Sequence, residues 1–114
     1  PEEVYHRPAS TFVASFIGSP PMNLLSAAPG ARAGSIMGIR PEHLDIGSTG
    51  WELKVETVEL LGAERLVYCR MGDETLIVRT DEQHTAPKPD SIIHVAPRED
   101  RVHWFDAATG KRLP

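Results

Sequence analysis

The sequence has 114 residues, of which 40% are hydrophobic and 25% are charged, and its formal net charge is -4. These values are typical of one soluble globular domain, and they exclude a disordered chain and a surface built to neutralise nucleic-acid phosphates. The single cysteine excludes an intrachain disulfide and favours a reducing, cytosolic setting. There is no signal peptide and no apolar run of the roughly 18 residues that a bilayer requires. The absence of Met before Pro1 leads us to expect a fragment.

The amino-terminal quarter of the chain has apolar residues at helical spacing. Residues 1–3 resemble the first turn of a short helix, with proline and two acids near the positive dipole end, and Pro8 ends it. Ser10 or Thr11 caps a second helix, which Gly18 and the prolines after it terminate. The predicted apolar face of that helix consists of Phe12, Val13, Phe16 and Ile17.

From Ser35 onward the spacing is that of short β-strands separated by turn residues. Trp51, Leu53 and Val55 alternate with charged residues, which predicts a strand with one buried face. Asp106 opens a last turn in which Gly110 suits a positive φ. Strands are predicted at residues 36–40, 51–61, 65–71, 74–80, 92–97 and 102–105, after a linker at 26–35. The fold class is therefore mainly β, a small antiparallel barrel preceded by one or two short helices.

The core is predicted from the inward positions of these elements. Its members are Phe12, Phe16, Ile17, Leu24, Ile39, Leu44, Leu53, Val55, Leu60, Leu66, Leu76, Val78, Ile93, Val95 and Val102. The aromatic pair Trp104 and Phe105 near the end of the chain fits two interpretations. Large aromatics dominate the energetics of interfaces, but in so small a barrel one of the two belongs to the core.

The stretch GIRPEHL, residues 38–44, concentrates polar chemistry between apolar residues. Glu42 and His43 allow an acid-base interpretation. Pro41 favours a different one, because it forces Arg40 into an extended conformation and marks the end of a strand. We therefore assign Arg40, Pro41, Glu42 and His43 to a structural corner or an interface, with Trp104 and Phe105 as further interface candidates.

No catalytic, cofactor-binding or metal-binding residue is predicted. The histidines, His6, His43, His84, His94 and His103, lack the spacing of a zinc site. There is no nucleophile elbow and no phosphate-binding glycine loop. The proline-bearing loop at 80–91 is either a solvated connection or a docking loop for a partner.

Several motifs in order resemble the carboxyl-terminal part of the ATP-binding subunits of bacterial ABC importers. They are EEVYHRPASTFVASFIGSPPMNLL, GIRPEHL, VETVELLGAERLVYCRM and VHWFDAATGKRL. The likeness is to the carbohydrate-uptake branch, which includes the maltose and glycerol-3-phosphate importer ATPases. It implies that residues 1–26 are the last helices of the nucleotide-binding domain and a linker. Residues 27–114 would be a TOBE regulatory domain, an oligonucleotide/oligosaccharide-binding (OB) type of barrel.

The resemblance also implies a function and partners. Two ATPase subunits would pair through their barrels, contact membrane permease subunits through the nucleotide-binding domain, and offer a surface to a cytosolic regulator. The location would be the cytoplasmic side of the bacterial inner membrane. The Walker A, signature and switch motifs are missing here, so the fragment itself is expected to be no enzyme. ATP and Mg²⁺ would belong to the full-length parent, and no nucleic acid is expected as a partner.

One departure from the family affects the expected oligomer. Between Asn23 and Gly38 the family has a longer insert, and its loss would leave an unpaired sheet edge that invites a second copy. The alternative function is a small-ligand sensor for an oxyanion or a sugar, with Thr80, Lys88 and Ser91 as candidate contacts. A single-strand nucleic-acid binder would need interleaved basic and aromatic residues, which the acidic balance opposes.

Overall fold

The computed structural model describes residues 2–114, so the expected role of Pro1 in a first helical turn lies outside the described residues. The elements are α1 (Glu2–His6), α2 (Thr11–Phe16), β1 (Asn23–Leu25), β2 (Ser35–Ile39), β3 (Leu44–Gly47), β4 (Trp51–Leu61), β5 (Glu64–Met71), β6 (Glu74–Asp81), β7 (Ile92–Pro97) and β8 (His103–Asp106). Short 3-10 turns occupy Pro41–His43 and Glu99–Arg101. The predicted mainly β class with two short helices is confirmed.

Two antiparallel sheets form the barrel. The smaller has the order β1-β2-β8 and the larger has the order β3-β7-β4-β5-β6. Strands β1 and β3 were not predicted, because three or four residues are too few to display an alternation. Since β1 pairs with β2 in register Leu24 to Gly38, the chain enters the barrel before the linker that the composition indicated.

The Asn23 side chain connects the two sheets where β1 approaches β6. The Asn23 side-chain amide donates to the Ile77 carbonyl at 2.8 Å and accepts from the Ile77 N–H at 2.8 Å. At the other edge of the smaller sheet, the Leu113 N–H donates to the Trp104 carbonyl at 2.9 Å. Both edges of this sheet therefore have partners within the chain, and the expected open edge is wrong in that respect.

The second helix docks by a different face from the one predicted. Its cap is as expected, with the Val13 N–H donating to the Ser10 hydroxyl at 3.3 Å. Ala14, however, is the buried residue, whereas Phe12 and Phe16 are 70% and 69% exposed. A small residue lets the helix approach the barrel closely, so the assignment of Phe12 and Phe16 to the core is wrong.

The barrel core otherwise follows the strand pattern. The predicted core residues that are buried are Ile39, Leu44, Leu53, Val55, Leu66, Leu76, Val78 and Val95. Half-buried instead are Ile17, Leu24, Ile93 and Val102. Buried residues that the pattern missed are Ala14, Met22, Leu25, Ala28, Met37, Val67 and Cys69.

Leu60 is also wrongly assigned to the core, since 68% of it is exposed. Two features of β4 explain this. The register shifts between Val55 and Thr57, and beyond Lys54 the strand pairs only with β5. The hairpin of β4 and β5 therefore extends past the core, and Leu60 lies near its tip beside the half-exposed Leu61.

Candidate functional site at the helix-barrel junction

Arg40 lies at the end of β2, where the backbone is extended before the Pro41–His43 turn, as predicted from Pro41. Only 1% of the residue is exposed. Its guanidinium donates to the carbonyl of Tyr5 at 2.8 Å and to the carbonyl of Ile17, and it covers the Tyr5 ring at 4.1 Å from the centroid. Arg40 thus joins the ends of both helices to the barrel.

We call Tyr5, Ile17, Gly18, Arg40 and Glu42 the Arg40 junction. Gly18 has a φ of 101°, and a Cβ there would lie 2.8 Å from an Arg40 guanidinium nitrogen. A side chain at this position would therefore be strained and would displace the arginine. The helix-ending glycine of the sequence is also the residue that makes room for the buried charge.

A tyrosine-carboxylate contact completes the Arg40 junction. The Tyr5 hydroxyl donates to Glu42 Oε2. Burial raises the pKa of Tyr5, and the hydrogen bond to Glu42 raises it further. Burial also raises the pKa of the Glu42 carboxyl, but the Tyr5 hydrogen bond and nearby charges outweigh it and hold that pKa below its usual range. Glu42 is therefore an ionised acceptor held in place by Tyr5.

His43 does not form an acid-base pair with Glu42. It is buried, and its Nδ1 has no hydrogen-bond partner within residues 2–114. Burial lowers its pKa, which favours the neutral imidazole. Its backbone carbonyl accepts from the Arg98 N–H at 2.9 Å. This arrangement is that of a packed corner, and the acid-base interpretation gains no support from it.

A second polar contact, which the sequence analysis did not find, lies beside the Arg40 junction. Arg112 donates to the carbonyl of Pro8 at 2.8 Å and contacts His103 Nδ1 at 2.8 Å. Its guanidinium also lies 5.5 Å from the centroid of the Phe105 ring. Burial, with Arg112 adding its charge, lowers the pKa of His103 to about 4. The carboxyl-terminal segment thereby holds the chain that precedes α2.

The two aromatics of the HWFD strand differ in their surroundings. Phe105 is fully buried and packs with Ala14 and Met22. Trp104 is half-buried, and Arg32 lies 5.9 Å from its ring centroid. One of the pair is therefore core, and an interface role for Trp104 stays a prediction.

A cavity of about 410 Å³ lies between α1, the Glu99–Arg101 turn, β8 and the carboxyl-terminal segment. Arginine and histidine side chains make up most of its wall, and Asp100 is its only carboxylate. Arg40 and His43 contribute to the wall, so the cavity borders the Arg40 junction.

The remaining candidates are dispersed. Within residues 2–114 no three His, Cys, Asp or Glu side chains converge as a metal site would require. Burial raises the pKa of Cys69 to about 12, so the thiolate needed for nucleophilic attack is disfavoured. Of the proposed oxyanion contacts, Ser91 bonds the Lys88 carbonyl, while Thr80 pairs with Arg65. Thr80 lines a cavity that neither Lys88 nor Ser91 borders.

Comparison with known proteins decides the family. The sequence profile described as TOBE domain matches residues 37–105, from β2 through most of β8. The chain belongs to the TOBE domain family. This confirms the family expected from the motifs. The matched residues include the larger sheet and most of β2 and β8, whereas β1 precedes them.

Relatives similar over almost the whole chain are named sn-glycerol-3-phosphate import ATP-binding protein UgpC. The relative from Bordetella pertussis is 36% identical over 99% of this chain, that from Cereibacter sphaeroides 43% over 99%, and that from Salmonella typhi 40% over 99%. The chain covers only 39%, 38% and 39% of their lengths, in the carboxyl-terminal region. In the part of the chain that the structure describes, every helix is too short or too polar to cross a bilayer.

Proposed function

We propose that this chain is the non-catalytic regulatory and dimerisation domain of the ATP-binding subunit of an importer for a sugar or a glycerol-3-phosphate-like solute. The TOBE family membership and the names of the similar relatives support the assignment to such a subunit. The observation that carries the regulatory part is the buried bonding of Arg40 to Tyr5 and Ile17. Any movement of α1 or α2 would be transmitted to the barrel through it.

The other activities of the full-length subunit would belong to segments outside this chain. ATP and Mg²⁺ would bind in a preceding nucleotide-binding domain, which would also contact the membrane permease subunits. The barrel would pair with a second copy and offer a surface to a cytosolic regulator, on the cytoplasmic side of the inner membrane. Two pairs of exposed apolar side chains suit these contacts.

We assign one pair to each contact. Phe12 and Phe16 stack edge to face on α2 with centroids 4.9 Å apart, and they lie in the segment that we assign to the nucleotide-binding domain. Leu60 and Leu61 lie on the projecting β4-β5 hairpin, which belongs to the barrel. The hairpin is therefore the proposed contact with a second copy, and the phenylalanines are the proposed contact with the preceding domain.

Sedimentation equilibrium of the 114-residue chain over a concentration series tests this proposal. We expect a reversible dimer that Leu60→Ser with Leu61→Ser weakens and that Phe12→Ser with Phe16→Ser leaves intact. Point variants are preferred to deletion of residues 1–26, because deletion would remove the carbonyls bound by Arg40 as well as β1. A monomer at all concentrations would contradict the dimerisation part, and a dimer lost only in the phenylalanine variant would assign pairing to α2.

The alternative of a small-ligand sensor is favoured by a specific observation, the arginine-lined cavity beside the Arg40 junction. Its charge suits an oxyanion rather than a sugar. The residues that line it differ from Thr80, Lys88 and Ser91.

A further inference from the structure

The arginine-lined cavity holds more positive charge than its surroundings neutralise. Arg7, Arg40 and Arg112 all contribute to its wall, and within residues 2–114 no carboxylate lies within 4 Å of their guanidinium nitrogens. A fourth arginine, Arg101, has only a contact of 4.0 Å with the exposed Asp100. These charges converge in a chain whose formal net charge is -4.

Two of these arginines, Arg7 and Arg112, repel each other. Burial lowers the pKa of Arg112, and the charge of Arg7 lowers it further. Arg40 is buried without any ion pair, and its Nε has no hydrogen-bond partner in the described chain. Such an arrangement costs stability unless an anion offsets it. The charge of Glu42 favours the charged form of Arg40 from the far side of Tyr5. In the part of the chain that the structure describes, however, Arg7 and Arg112 have no such carboxylate within 4 Å, so the cavity keeps an excess of positive charge.

The chemistry of the wall indicates the class of anion. The planar fork of a guanidinium matches two oxygens of a phosphate group, and several arginines together favour a multiply charged oxyanion. His103 accepts from Arg112 at Nδ1, so its neutral ring carries a proton on Nε2 and is a further donor. The volume of about 410 Å³ lies within the range of roughly 300–1,000 Å³ that small-molecule sites occupy.

We propose that this cavity binds a small phosphate-bearing molecule, with Arg7 and Arg101 at its mouth and Arg112 and His103 within it. The phosphate group belongs either to inorganic phosphate or to a small monoester. This inference uses only the cavity and its charges, and it does not rest on the proposed importer function.

Isothermal titration calorimetry of the 114-residue chain provides the test, with inorganic phosphate and methyl phosphate as separate ligands at constant ionic strength. We expect saturable binding that chloride does not reproduce. Arg7→Gln with Arg101→Gln should weaken it by about tenfold or more, because two charge-assisted contacts are lost. Both side chains are exposed and bear no contact that the fold needs, so the variant keeps its structure.

Arg70→Gln is the matched control, since Arg70 is an exposed arginine on β5 whose ion pair with Glu56 lies outside the cavity. The control should bind phosphate as the parent does. Tighter binding of methyl phosphate would assign the site to a monoester and tighter binding of phosphate to the free ion, and either supports the shared chemistry. No saturable binding of either ligand, or equal weakening by Arg70→Gln, would overturn the proposal.

Discussion

The barrel core and the Arg40 junction hold this chain together by different physics. The core consists of aliphatic side chains such as Leu53, Val55 and Val95, each fully buried and none with a polar atom to satisfy. The Arg40 junction buries a charge and satisfies part of it with two backbone carbonyls. Apolar burial is non-directional, whereas the guanidinium requires its acceptors at particular places.

The core therefore supplies most of the stability, whereas the Arg40 junction positions the two helices. The core would tolerate conservative repacking, because hydrophobic volume matters more there than the exact side chain. The Arg40 junction contributes less apolar area but determines where α1 and α2 end relative to the barrel. We therefore expect substitutions in the two regions to be distinguishable by which part of the chain they release.

The largest effect is expected in the core. Ile39→Asp places a carboxylate at a fully buried position of β2, and we expect it to cost at least about 4 kcal/mol, enough to unfold most of a domain this small. Urea denaturation followed by circular dichroism measures this cost. Ile92→Asp, at a position of β7 that is 52% exposed and outside the proposed dimer contact, is the control and should change the free energy of unfolding by less than about 1 kcal/mol. An unaltered midpoint for Ile39→Asp would remove Ile39 from the core.

Arg40→Met should cost about 2–4 kcal/mol, because it leaves two partly buried carbonyls without their donor. The loss should be local. Limited proteolysis should cleave before β1 faster than in the parent, while amide exchange at the buried Val95 in β7 changes less. Arg70→Met removes an exposed arginine and serves as the control. If Arg40→Met accelerated cleavage and exchange equally throughout the chain, the Arg40 junction would not be separable from the core.

His103 should make stability depend on pH. Its pKa is about 4 in the folded chain and about 6.5 when unfolded, so the unfolded state binds more protons between those values. Stability from His103 is therefore complete above about pH 6.5 and falls as the pH approaches 4, by about 2 kcal/mol at pH 5. Urea midpoints at pH 7.5 and 5 measure it.

The matched variant for this pH effect is His103→Asn, which keeps an acceptor for Arg112 but does not titrate. It should flatten most of the slope. The remainder should come from His43, whose pKa burial also lowers. A slope unchanged by His103→Asn would show that the pKa of His103 is the same in the folded and the unfolded chain.

The smallest effect is expected for the rim of the Arg40 junction. Tyr5→Phe removes the hydrogen bond to Glu42 but keeps the ring beneath Arg40, so it should cost only about 1 kcal/mol. A double-mutant cycle with Glu42→Ala, which removes the acceptor of that hydrogen bond, measures the coupling. Additive costs for the two substitutions would mean that the hydrogen bond contributes nothing to stability.

Local periodicity explains which parts of the fold were predictable. The alternation through Trp51, Leu53 and Val55 identified β4 and its inward face, because a strand that buries one face must alternate. The same reasoning failed past Lys54, where no neighbouring strand remained to cover Leu60. The same reasoning predicted the wrong buried face of α2, because the two phenylalanines are more hydrophobic than Ala14. In the structure Ala14 is buried, since a small residue permits closer packing against the barrel.

The site was less predictable than the fold because its contacts have no period. Arg40 and Tyr5 are 35 positions apart, and Arg112 and Pro8 are 104 apart. The motif GIRPEHL pointed to Arg40 as special, but only the fold reveals that its partners are carbonyls of the helical segment. Nothing in the local sequence around Lys111 and Arg112 indicated that this segment returns to the start of the chain.

The bond between Asn23 and Ile77 has a consequence for misfolding. The strand β1 pairs with β2 over three residues, so few ladder bonds oppose a shift along its partner. A slip by two residues would preserve which side chains point inward, but it would place Leu25 rather than Asn23 opposite Ile77. The slipped form would then lack both amide hydrogen bonds to Ile77. Asn23 therefore selects the native strand register, because a slipped pairing that apolar burial alone would accept loses these two hydrogen bonds.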